Sequence, residues 1–119
     1  MTKTREENAR LELKKKFVTV DSFNEGLAGV YNGTVEFHVK IDGTPAYAER
    51  YAYVGPFRHG LAWVRTRKGP DGREFHIRPD GTRAYRAEFS TVSSFDASGK
   101  ATATVNHVEF LIDRNGNKI

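Results

Sequence analysis

An internal repeat constrains this chain more than any other feature. Residues 51–64, YAYVGPFRHGLAWV, nearly repeat residues 17–30, FVTVDSFNEGLAGV, and a weaker copy starts at Phe89. Phe17, Tyr51 and Phe89 open the units, Val20, Val54 and Val92 follow at one offset, and Phe23, Phe57 and Phe95 at the next. Gly26-Leu27-Ala28 and Gly60-Leu61-Ala62 return as Gly99-Lys100-Ala101, one residue late. Then come Glu36-Phe37-His38-Val39, Glu74-Phe75-His76-Ile77 and Glu109-Phe110-Leu111-Ile112, closed by Asp42-Gly43, Asp80-Gly81 and Asn115-Gly116. The spacing is 34 residues from Phe23 to Phe57 and 38 from Phe57 to Phe95, the extra length lying in Arg67–Asp71. A fixed period of about 20–50 residues marks supersecondary units that bury their apolar faces only against one another.

Within a unit the period is two. Phe37-His38-Val39-Lys40-Ile41 and Phe75-His76-Ile77-Arg78 alternate apolar and polar residues, the pattern of a half-buried strand. Asp-Gly and Asn-Gly pairs supply the positive φ of a tight type I′ hairpin, and Asn32-Gly33 marks another between a Leu27–Val30 strand and the Phe37 strand. Ala46–Val54 and Ala84–Val92 complete each unit as a third strand, and Pro79 marks a strand end. The expected fold class is all-β: three antiparallel meander units of 34–38 residues, with aromatic layers Phe23/Phe57/Phe95, Phe37/Phe75/Phe110 and Tyr47/Tyr85.

The N-terminus admits two readings. Thr4 with Glu7 fits a helix capping box, and Ala9, Leu13 and Phe17 lie at helical spacing. Leu13–Phe17 also aligns with Tyr47–Tyr51 and Tyr85–Phe89, which makes it a strand, the preferred reading. The chain stops at Ile119, where a matching strand would begin, so Leu13–Phe17 is expected to complete the last hairpin. A closed, roughly threefold arrangement (trefoil-like or a small barrel) is therefore preferred over an open β-solenoid, because closure removes exposed edges. Residues 1–12 read as a charged tail, with residues 1–8 mobile, and residues 13–119 as one β domain.

Composition narrows the function classes. The chain of 119 residues has 14 aromatic residues and no cysteine, so it builds a modest core without disulfides or thiolate metal sites. No apolar run suits a signal peptide or a membrane span, and a cytoplasmic location is the default expectation. The net charge of +4 divides into +3 for residues 1–17, −4 for 18–49, +6 for 50–86 and −1 for 87–119. Basic character thus sits in the tail and the middle unit, and does not run as a stripe along the repeats.

The pattern F-x-x-G-L-A-x-V, a short hairpin, an aromatic-x-I/V strand, D-G-x and Y-x-x-V-x-x-F resembles the WG-repeat family of bacterial β-hairpin repeats over about residues 13–119. The family's Trp-Gly pair is replaced by Val35-Glu36, Arg73-Glu74 and Val108-Glu109, as in a divergent branch. The resemblance implies a repeat scaffold with a binding role. It carries over no catalytic motif.

Candidate chemistry is sparse. Glu36 with His38 and Glu74 with His76 lie two apart on what reads as the outward strand face, with ligand types suited to a metal. The third unit has Leu111 instead of a His, so cross-strand pairing is the preferred reading and neither metal nor cofactor is expected. Ser90, Ser93, Ser94 and Ser98 lack a nucleophile elbow, and Asp42 and Asp80 are explained by their turns. No enzyme is expected. The best surface candidate is Trp63, which breaks the repeat where Gly29 and Thr102 stand, with Arg58, His59, Arg65, Arg67, Lys68 and Arg73 around it. Trp and Arg favour a protein-binding patch. A basic, Trp-containing middle repeat also suits single-stranded nucleic acid by stacking and phosphate contact. A protein partner is the first expectation and nucleic acid the alternative, with the chain a monomer, or self-associating if sheet edges are open.

Overall fold

The computed structural model describes residues 4–119: a helix, then three antiparallel three-stranded meanders in series. After α1 (Arg5–Leu13), the first sheet holds β1 (Thr19–Val20), β2 (Ala28–Tyr31) and β3 (Glu36–Val39). The second holds β4 (Tyr53–Val54), β5 (Ala62–Arg65) and β6 (Glu74–Ile77), and the third β7 (Thr91–Val92), β8 (Ala101–Val105) and β9 (Val108–Ile112). The register repeats with the sequence. Val30 faces Phe37, Val64 faces Phe75 and Ala103 faces Phe110 on the same rung of the three sheets.

The Asp-Gly turns are of another type than the sequence suggests. At Asp42-Gly43 only the glycine takes positive φ, Gly43 N–H donates to Lys40 O, and the Asp42 carboxylate accepts from Thr44 N–H and the Thr44 hydroxyl. That is a type I turn with a following αL glycine rather than type I′. Two-residue turns with both φ positive occur at Glu25-Gly26, His59-Gly60 and Asn106-His107. The last holds no glycine, so sequence chemistry did not mark it.

The expected third strand of each unit is a shared linker. Pro45 bridges Val39 and Tyr51 exchanges two backbone hydrogen bonds with Glu36, both on the first sheet, before Tyr53–Val54 crosses to pair with β5 of the second. Arg83, Phe89 and β7 repeat this between the second and third sheets. Side chains follow the crossing. The Tyr51 ring meets Phe75 edge-on at 6.1 Å, and Phe89 meets Phe110 at 6.0 Å.

Two expectations are corrected. The stack is open: among the described residues no strand of the third sheet pairs with the first, and the molecule measures 46 × 30 × 22 Å. Leu13–Phe17 is not a strand: Leu13 ends a helix, Arg5–Leu13, that Thr4 caps by accepting from Glu7 N–H at 3.0 Å, and residues 14–17 are turn and bend. A strand there needs a sheet to satisfy its backbone, whereas a helix bonds itself. Leu13 and Phe17 therefore pack on the first unit and not on residues 115–119, while Arg5–Asn8 of the expected mobile tail are helical and residues 1–3 lie outside the described residues.

The register nevertheless holds in space. Leu13 lies against Gly43 as Tyr47 lies against Gly81 and Tyr85 against Gly116, and Phe17 meets Phe37 at 5.8 Å as Tyr51 meets Phe75. Leu13 is 4% exposed, so the helix caps the first unit with the side chains a preceding linker would bring.

Candidate functional site

The Glu and His residues of β3 and β6 point into the junctions between units, not outward as the alternation suggested. His38 and His76 are fully buried. His38 Nε2 donates to the Gly55 carbonyl at 2.8 Å, which leaves Nδ1 to accept from the Tyr47 hydroxyl at 2.6 Å. The same hydroxyl accepts from His38 N–H. His76 repeats the arrangement with Ser93 O and Tyr85. Phe57 packs on the His38 ring at 4.6 Å and Phe95 on His76 at 4.4 Å.

Burial lowers the pKa of both imidazoles to about 4, against the upward pull of the carbonyls they bond. Glu36 Oε1 accepts from Val54 N–H at 2.9 Å and Glu74 Oε1 from Val92 N–H at 2.8 Å. Burial raises the Glu36 pKa, partly offset by that N–H. Each Glu-x-His pair therefore grips an N–H and the next residue's C=O on the following unit's first strand. These groups are a latch in which no buried side-chain polar atom lacks a partner, and no cluster of three or more His, Asp or Glu able to hold a metal occurs among the described residues.

Trp63 is half-buried against Gly55, across from it on the adjoining strand: Gly55 N–H donates to Trp63 O, and any Cβ on Gly55 would overlap the indole. The pair varies by compensation. Asp21 faces Gly29 in the first unit and Ser93 faces Thr102 in the third, so bulk on one strand meets a small residue on the other.

The basic set around Trp63 does not form one cluster. Arg58 is exposed just before the two-residue turn that leads into β5, while Arg67 and Lys68 are exposed on the loop after it. Arg65 is committed: Nη1 donates to Glu74 Oε2 and Ser90 O, both at 3.0 Å, and Nη2 to Gly69 O at 2.6 Å. Arg65 and Arg73 do meet in one place. They line a groove of about 470 Å³ between the β5–β6 hairpin and the third sheet, with Pro70, Ser90, Thr91, Thr104, Asn106 and His107.

The feature missed by sequence reasoning is the outer face of β9. Leu111 holds the position of His38 and His76 but is 45% exposed, and Ile119, whose N–H donates to Leu111 O, is 63% exposed. Glu36 and Glu74 each exchange two backbone hydrogen bonds with a linker, at Tyr51 and Phe89. Glu109, among the described residues, has no such partner on that edge. The signal was present in the sequence as the histidine lost at Leu111.

The model of the WG containing repeat matches residues 48–68, the stretch from the first linker through β4 and β5. The chain carries a WG-type repeat. No curated protein and no solved structure matches it. In this chain the pairs standing where Trp-Gly is expected end in Glu36, Glu74 and Glu109, and the first two of these are the latch carboxylates. The helix of the chain is not long and apolar enough to cross a membrane.

Proposed function

We propose that this chain is a non-enzymatic interaction module that holds a protein partner on its middle repeat. One observation supports the reading: Arg58, Arg67 and Lys68 stand exposed on the loops at either end of β5, the strand that carries the half-buried Trp63. Trp and Arg are over-represented at protein-binding hot spots. The polar groups that suggested chemistry, His38, His76, Glu36 and Glu74, are consumed by the junctions. The test is affinity capture with the parent chain and with an Arg67→Glu, Lys68→Glu variant as bait. The reading expects a partner retained by the parent and lost with the variant, and fails if both retain the same proteins.

The groove holding Arg65, Arg73 and His107 favours a second reading, a nucleic-acid partner. Titrating Trp63 fluorescence with oligonucleotides at two salt concentrations separates the two. Phosphate contacts make affinity fall steeply with salt. Silence at low salt removes the second reading.

A further inference from the structure

We infer that the groove between the β5–β6 hairpin and the third sheet takes an acidic segment of a partner protein, rich in Asp or Glu, with its carboxylates on Arg73 and His107; this rests on the protein-binding reading above. Two departures from the repeat meet there. The β2–β3 connection is residues 32–35, whereas the β5–β6 connection is twice as long, residues 66–73. Across the groove from that longer loop, Thr91 faces Thr104 on the rung where the second sheet carries Tyr53 and Arg65. A longer wall over a smaller rung opens the space of about 470 Å³.

The loop is a folded wall. Arg73 N–H donates to the Thr66 hydroxyl and Gly72 N–H to Gly69 O, and a Cβ on Gly72 would fall on Arg67 O and the Arg65 guanidinium. Arg65 ties the two sides together, donating from Nη2 to Gly69 O on the loop and from Nη1 to Ser90 O beside β7. Its charge is answered by Glu74 at 3.0 Å. Arg73 is placed differently. Its Nη1 donates to Pro70 O and Gly72 O, which fixes the guanidinium and leaves Nε and Nη2 for a ligand.

The lining selects the chemistry of the occupant. It holds Arg65, Arg73 and His107 but neither Asp nor Glu, which favours an anion over a cation. A guanidinium fork matches a carboxylate, and the hydroxyls of Ser90, Thr91 and Thr104 supply further donors. No Phe, Tyr or Trp lines the groove among the described residues, and Trp63 packs on Gly55 instead. The stacking platform that single-stranded nucleic acid uses is therefore missing there. An acidic polypeptide needs none.

The experiment titrates fluorescein-labelled hexaglutamate into the full chain by anisotropy, with labelled hexalysine and a labelled oligothymidylate alongside. Hexaglutamate is expected to bind and hexalysine not. Thr104→Tyr fills the groove with the residue that the first sheet carries on the same rung, Tyr31 opposite Thr19, and so suits the fold. It should weaken hexaglutamate at least about tenfold, as should Arg73→Gln combined with His107→Asn. Lys40→Gln, which removes an exposed cation from the first unit, should change the affinity less than about twofold. No binding, equal binding by Thr104→Tyr, or the same loss in Lys40→Gln overturns the inference. Oligothymidylate that outcompetes hexaglutamate, and is itself lost in Thr104→Tyr, assigns the groove to nucleic acid and also overturns it. If hexaglutamate fails while capture of a partner still depends on Arg67 and Lys68, the groove assignment falls alone. If neither holds, both fall.

Discussion

His38 donates from Nε2 to Gly55 O, seventeen residues on, and so the imidazole that joins the first two units is held as one neutral tautomer. His76 and Ser93 O stand in the same relation at the next junction. Both groups titrate near 4 when folded and near 6.5 when free. Between those values the unfolded chain binds more protons than the folded one. Stability is therefore full above about pH 6.5 and is lost as the pH falls towards 4, by up to about 3 kcal/mol for each ring. Urea midpoints from pH 7.5 to 4 should show this decline, and a His38→Gln, His76→Gln double variant should flatten it. An equally steep decline in the double variant assigns it to carboxylates instead.

Phe75 is 4% exposed, with Tyr51 at its edge and the Arg83 guanidinium 3.7 Å from its ring centre. Replacement by alanine removes a core ring shared by two units. A loss of about 3–5 kcal/mol is expected, read from chemical denaturation. An unchanged midpoint takes Phe75 out of the core.

The Gly55–Trp63 contact predicts non-additivity. Gly55→Ser alone drives a side chain into the indole and should cost about 1–3 kcal/mol, as overpacking does. Adding Trp63→Thr recreates the Ser93–Thr102 pair of the third unit and should recover most of the loss. A double-mutant cycle measures the coupling directly. Additive losses would mean that the two positions are independent.

Leu13 and Leu11 share α1 but differ in what they touch. Leu13 is 4% exposed against the first unit and Leu11 is 45% exposed. Leu13→Ala should cost about 2–4 kcal/mol, and Leu11→Ala under about 1 kcal/mol. Thermal melts of the two variants check this. Equal effects would mean that the helix does not seal the stack.

Much of this fold was legible. The aromatic positions and the paired strands around Leu27–Val30 and Phe37–Val39, with their copies in the next unit, follow from the repeat register. The N-terminal strand failed because alignment reports where a side chain must sit, not the backbone that brings it there. Leu13 fills the Tyr47 and Tyr85 position from a helix. Outward placement of His38 failed because alternation assumes one wet face. Here the next unit's linker covers the second face as well, leaving Phe37, His38 and Val39 all buried. The cations over the aromatic layer were invisible for a related reason. Arg50, Arg83 and Lys118 reach Phe37, Phe75 and Phe110, and only the last two occupy equivalent positions. The open edge at Leu111 was read as a missing ligand because its neighbours' histidines looked like ligands rather than fasteners.

Each linker completes one sheet and begins the next. A unit that melts therefore strips its neighbour of an edge strand, a buried aromatic ring and a carbonyl partner in a single event. The free-energy gap between losing one unit and losing all three is small, so partly melted chains should be scarce. Heating should give one calorimetric transition whose van't Hoff and calorimetric enthalpies agree, although the architecture is a linear array. A modular row of sheets thus behaves as one cooperative body.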